Sequence, residues 1–205
     1  MKILIILLIL GVAGVAAKTF LFSFRAQSPA DYAGTGPAFE LKKHLSGQIL
    51  SEGLIYGPTG RVTNSFVASM TGIWTGDTGT LTEHFTYSNG TVQDRKWFLK
   101  IGPDNTFTAT ADDIVGEAEG IVSGSTAMLR YQIVLPEEAG GHTLTATDWM
   151  YLTENGTIMN KSEMRKFGLK VAELVATMRP APETQPGRVD FVPGQISQAA
   201  PEVVQ

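Results

Sequence analysis

The chain has 205 residues and a hydrophobic fraction of 43%, enough for one ordinary domain with additional segments. It contains no cysteine, which excludes disulfide staples, thiolate nucleophiles, cysteine zinc sites and a lipid-modified N-terminal cysteine. Its net charge is −4, and because Lys2, Lys18 and Arg25 all precede the first acid, Asp31, the remainder carries −7; nucleic acid, which needs a concentrated basic surface, is not an expected partner.

Residues 3–17 are uninterrupted apolar or glycine behind Lys2, the order of an export signal. Val15-Ala16-Ala17 offers small residues for cleavage, yet the apolar run resumes after Lys18 and continues to Phe24. A helix over residues 3–17 spans only about 22 Å, whereas a run to Phe24 reaches the roughly 30 Å of a bilayer core. A cleaved signal peptide and an uncleaved transmembrane anchor therefore both stay open for residues 1–25. A snorkelling Lys18 and the sharp stop at Arg25 favour the anchor. The expected partner of this segment is a membrane, and the expected place of the body is the periplasm or cell envelope.

Residues 26–38 (AQSPADYAGTGPA) are small, polar and rich in Pro and Gly, the composition of a linker. Phe39 to Leu45 (FELKKHL) reads as a helical turn or the lead-in to a strand. From there, alternating runs end at turn dipeptides: Gln48–Tyr56, Arg61–Trp74, Thr80–Tyr87, Val92–Ile101, Thr106–Ala111, Glu117–Val122 and Met128–Leu135. Asn89-Gly90 and Asn155-Gly156 are the strongest hairpin signals, because a type I′ turn needs positive φ at both central residues. The second joins Thr143–Leu152 to a return arm ending near Gly168. Val171–Met178 fits helix spacing and strand spacing alike, and is read as a closing strand. About nine or ten antiparallel strands in a meander either close on themselves or split into two sheets, since an open sheet leaves pairing edges exposed. One apolar and one polar face per strand fits a barrel. Small residues on the inner faces would leave room for a ligand. Residues 39–179 thus form the barrel domain, and residues 180–205, rich in Pro and Ala, a disordered tail.

Alternation puts Leu144, Ala146, Asp148, Met150 and Leu152 on one face, with Trp149 and Tyr151 on the other. An inward Asp148 needs a cation or hydrogen-bond donors. Arg130, Lys161 and Arg165 are the expected partners, either closing the barrel or anchoring the head group of an amphipathic ligand. Trp97, Trp149 and Tyr151 join them as candidate ligand contacts, although barrel packing accounts for aromatics equally well. The acidic run Asp112, Asp113, Glu117 and Glu119 lacks the order of a calcium loop, and His44, His84 and His142 show no metal-binding spacing. No Gly-x-Ser-x-Gly elbow is present. No metal, cofactor or catalytic residue is expected, and the protein is not expected to be an enzyme; an enzyme acting on lipids by acid–base chemistry at Asp148 or the acidic run is a third reading, behind the binding barrel and the scaffold.

TADDIVGEAEG (Thr110 to Gly120), DWMYLTENGTIMNKSEMRKFG (Asp148 to Gly168) and the TGxWxGxxGTLTE run (Thr71 to Glu83) together resemble the bacterial family catalogued as domain of unknown function 3833, over roughly Phe39 to Arg179. The resemblance implies exported or membrane-anchored proteins, many of them lipoproteins, with a lipocalin-like β-barrel and no established activity. The absence of cysteine departs from lipoprotein members and replaces a lipid anchor with a peptide one or none. Gly72-Ile73-Trp74, Thr147-Asp148-Trp149 and Arg165 or Arg179 also stand in the order of lipocalin motifs. The expectation is a membrane-tethered, lipocalin-like barrel that binds a lipid, fatty acid or other apolar small molecule. The alternative is a non-catalytic envelope scaffold whose core is packed solid.

Overall fold

The computed structural model describes residues 1–137 and 140–182, without the side chains at 15, 16 and 18–20. The helix α1 (Lys2–Leu21) leads through two short 3-10 turns, Phe24–Ala26 and Pro29–Tyr32, to the single turn α2 (Leu41–His44). Ten strands follow: β1 (Gly47–Tyr56), β2 (Val62–Thr75), β3 (Thr78–Tyr87), β4 (Val92–Ile101), β5 (Thr106–Thr110), β6 (Ala118–Ser123), β7 (Thr126–Val134), β8 (Thr143–Leu152), β9 (Ile158–Lys166) and β10 (Leu169–Pro180). Each pairs antiparallel with its neighbour in sequence, and β10 returns to pair with β1, so the meander is a closed barrel without edges. The ambiguous stretch 171–178 is the closing strand: Met178 opposes Ser51 and Leu174 opposes Ile55.

Closure follows from strict alternation. Phe66, Ala68 and Met70 of β2, Leu129, Tyr131 and Ile133 of β7, and Leu144 and Ala146 of β8 are buried together, while the residues between them face outward. Glycine makes room for cross-strand rings at two inner positions. Gly53 opposes Phe66 and Gly120 opposes Phe107, and a Cβ at either glycine would overlap the ring, the glycine–aromatic pairing that allows a sheet to curve tightly. At the end of the barrel where β1 begins, α2 and its flanks put Phe39, Leu41 and Leu45 into the core. Trp74 Nε1 donates to the Leu45 carbonyl oxygen at 3.0 Å. The Gly-x-Trp at 72–74 therefore ends β2 instead of opening the barrel.

Among the described residues no helix is long and apolar enough to cross a membrane. The described side chains of α1, Ile3 to Leu10 among them, are exposed all round. The segment 26–38, expected as a linker, packs on the barrel in this structure. Local caps fold it, with Ser28 N donating to Asp31 Oδ2 at 2.7 Å, and it lies on the outer face of the barrel. Tyr32 packs against Trp149 and Tyr151 at centroid distances of 5.2 and 5.7 Å. Gln27 Oε1 accepts from both Tyr32 Oη (2.5 Å) and Tyr151 Oη (2.6 Å). Phe39 N donates to the Gly124 carbonyl at 2.8 Å, and Ser123 Oγ donates to the Pro29 carbonyl at 2.5 Å. One tyrosine among small residues supplies the apolar contact that a plain tether lacks. The disordered tail expected at 180–205 lies, from residue 183 onward, outside the described residues.

Candidate functional site

The barrel encloses a cavity of about 140 Å³, so the interior is not packed solid, as the scaffold alternative required. Its wall is mostly apolar, with Phe66, Met70, Leu81, Leu99 and Met178 among the lining residues. Set into that wall is a polar cluster contributed by four strands. Glu83 on β3 stands directly opposite Arg95 on β4. Arg95 lies over the Trp97 ring, 4.2 Å from its centroid, and its Nε donates to Asp113 Oδ1 at 3.1 Å; Nη2 is equally close to that oxygen as an ion-pair contact, but lacks hydrogen-bond alignment. Tyr131 Oη on β7 donates to Asp148 Oδ2 on β8 at 2.9 Å. Four buried polar atoms, Ser51 Oγ, Glu83 Oε2, Arg95 Nη2 and Asp148 Oδ1, have no hydrogen-bond partner, and all four residues line the cavity. Burying polar atoms unpaired costs about 1–3 kcal/mol each, so any group that satisfied them would be held correspondingly well.

Burial dominates the electrostatics. It pushes the Glu83 carboxyl up to about 7; Arg95 opposes the rise, Asp148 and Asp113 add to it, and the nearby Trp97 indole opposes it least. Burial likewise raises Asp148, against the neighbouring hydroxyls of Ser162 and Tyr131 and the charge of Arg95. Tyr131 is raised well above an ordinary tyrosine, first by burial and then by Asp148. Burial opposes the charge on Arg95, but the surrounding Tyr131, Glu83, Asp113 and Asp148 outweigh it and raise its pKa. Perturbed titratable groups gathered at a cavity are the usual mark of a functional site.

Asp148 faces inward as expected, and Trp97 lines the cavity. The three expected cations do not reach Asp148. Its partner on β9 is Ser162, so by alternation the inward residues there are Asn160, Ser162 and Met164, while Lys161, Glu163 and Arg165 point out. Lys161 pairs with Glu173 at 3.5 Å and Arg165 with Glu163 at 2.6 Å. Arg130 is exposed on the outer face of β7. Trp149 and Tyr151 are also outside, where the segment around Tyr32 covers them and leaves Trp149 only 1% exposed. The cation belongs instead to β4. Arg95, Glu83 and Tyr131 were all legible by alternation: Glu83 stands between inward Leu81 and Phe85, and Arg95 two residues before inward Trp97. In the acidic run Asp113 pairs with Arg95, and among the described residues no group of three or more His, Cys, Asp or Glu could hold a metal.

A family model described as Protein of unknown function (DUF3833) matches residues 18–180. The chain belongs to that family. The match takes in the docked segment 24–38 as well as the ten strands, so the DUF3833 unit begins before the barrel does. Among curated proteins none matches the sequence. Solved structures share the fold. The S-type phycobiliprotein lyase CPES from Guillardia theta aligns with a TM-score of 0.54 at 8% identity, over 69% of this chain and 91% of that one. Rv2717c from M. tuberculosis aligns with a TM-score of 0.50 at 14% identity, over 72% of this chain and 99% of that one. These likenesses show a shared antiparallel β-barrel fold for this DUF3833 member, which a lipocalin-like architecture fits, and nothing finer.

Proposed function

We propose that the barrel is a binding protein, not an enzyme, for a compact apolar molecule whose polar head reaches Glu83, Arg95 and Asp148. The observation that carries this reading is the set of unpartnered polar atoms on Ser51, Glu83, Arg95 and Asp148 around an apolar hollow. Its volume of about 140 Å³ is that of a cavity which accepts a benzene-sized guest, so a whole long-chain fatty acid is too large to be enclosed. Charge narrows the class further. Three carboxyls, Glu83, Asp113 and Asp148, surround one guanidinium, so a neutral or cationic hydrogen-bond donor is favoured over a carboxylate head.

The setting proposed with it is the cell envelope, with the body held at a membrane by α1. Support comes from the uninterrupted apolar run 3–17 and from described α1 side chains that are exposed all round. The binding reading is tested by native mass spectrometry of the purified full chain, before and after exposure to benzyl alcohol, beside Ala109→Phe, whose larger ring would fill the cavity. A bound small molecule lost in the variant is expected. Equal occupancy in both proteins, or none in either, contradicts the reading.

A further inference from the structure

A second pocket, of about 300 Å³, lies outside the barrel between the segment that follows α1 and the outer face of β7–β9. Phe24 forms part of its wall, and Arg25, Arg130 and Arg165 line it together with the threonines Thr145 and Thr147. Glu163, also in the lining, is buried and bound by Arg165. On a body carrying −7 beyond Arg25, the lining of this pocket holds three arginines and one carboxylate, with Glu119 across the β6–β7 register from Arg130. Arg130 has no ion pair among the described residues. Guanidinium forks and hydroxyls are the donors that suit an oxyanion, phosphate above all.

The surroundings are those of a membrane surface. The pocket adjoins the foot of α1, where Leu21 and Phe22 are exposed. Arg165 ties it to the β9–β10 turn, through Nη1 donating to the Gly168 carbonyl at 2.7 Å. That turn presents Phe167, 93% exposed at φ 51, together with exposed Leu169. Phe167 thus holds a strained left-handed backbone conformation with its ring in solvent, and the Lys166 ammonium lies 5.7 Å from the ring centroid. Apolar tips beside a guanidinium pocket are how a protein seats itself at a headgroup layer.

We infer that the Arg25–Arg130–Arg165 pocket binds a phosphate group, supplied by the headgroup of a membrane lipid. The inference rests on the membrane setting proposed for α1, but its binding arm needs no bilayer. Detergent-solubilised full chain is titrated calorimetrically with inorganic phosphate and with monomeric dihexanoyl phosphatidylglycerol, using the wild type and the Arg25→Gln/Arg130→Gln double variant, whose fold is checked by circular dichroism. Saturable phosphatidylglycerol binding, weakened at least about tenfold in the variant, is expected. Inorganic phosphate binding as tightly as the lipid, with the same loss, keeps the oxyanion site but overturns the lipid source. Equal binding by the two proteins, or no binding of either ligand, overturns the site. Carbonate extraction of cell membranes reports separately on whether α1 holds the chain there, and Phe167→Ser is expected to reduce binding to phosphatidylglycerol vesicles while leaving the monomeric lipid titration unchanged.

Discussion

Replacing Glu83 by Gln isolates the electrostatics of the barrel interior. The folded-state carboxyl titrates near 7, against an ordinary 4.5. A raised acid pKa means that the folded state holds the proton more tightly than the unfolded chain does. Its stabilisation is therefore complete below about 4.5 and is lost as pH rises through about 7. At roughly 1.4 kcal/mol per unit, the loss is on the order of 3 kcal/mol. Gln imitates the protonated carboxyl in shape and does not ionise. Asp148 is raised as well and acts in the same direction; His44, lowered chiefly by burial, acts oppositely. His44 is common to the two proteins and cancels in their difference, whereas Asp148 interacts with Glu83, so losing the Glu83 charge relieves it as well and adds to the gain of the variant. Urea unfolding at about pH 5 should find the pair within roughly 1 kcal/mol of each other, and at about pH 8 should find the variant more stable by on the order of 3 kcal/mol. Parallel pH profiles would refute a desolvated, inward Glu83.

Other changes test neighbouring contacts. Arg95→Met strips the cation from Glu83, Asp113 and Asp148 and should cost about 3–5 kcal/mol in urea unfolding, as breaking a buried pair does; the loss should shrink when Glu83→Gln is added. Tyr131→Phe deletes the 2.9 Å hydrogen bond to Asp148 and should cost about 1–3 kcal/mol, more at high pH, where Asp148 is ionised. Gly72→Ala places a methyl against the Leu45 carbonyl oxygen that Trp74 uses and should cost about 2 kcal/mol, with a red shift of Trp74 emission. Tyr32→Ala should expose Trp149, red-shift its emission and open residues 26–38 to protease, with the barrel's circular dichroism unchanged.

The barrel was legible because period-two alternation and turn dipeptides are local signals. Val92–Ile101 and Thr143–Leu152 occur with the expected bounds, and even the ambiguous last strand closes the sheet. Asp148 was legible as an inward carboxylate, but its environment was not. Cations near it in sequence, Lys161 and Arg165, share a strand parity that faces solvent once Asp148 pairs with Ser162. Arg95 comes from a strand far away in sequence, and only barrel closure brings it within reach. Glu83 is hidden because a single charge in an apolar face reads as an interruption of the pattern, whereas the barrel interior makes it part of the polar wall. The packing of segment 26–38 is hidden by composition, which averages away the aromatic anchor Tyr32.

The chemistry of the cavity is the most direct test of binding by the barrel. Benzylamine, benzyl alcohol and benzoate share one ring and differ in the charge of the head, and each can be titrated into the full chain at about pH 8, above the Glu83 midpoint, with Trp97 emission as readout. Uptake of the amine or the alcohol, weaker uptake of benzoate, and loss of all uptake in Ala109→Phe are predicted. Benzoate binding as well as the amine and the alcohol, or no response to any of the three, would contradict a polar cluster built to receive a hydrogen-bond donor.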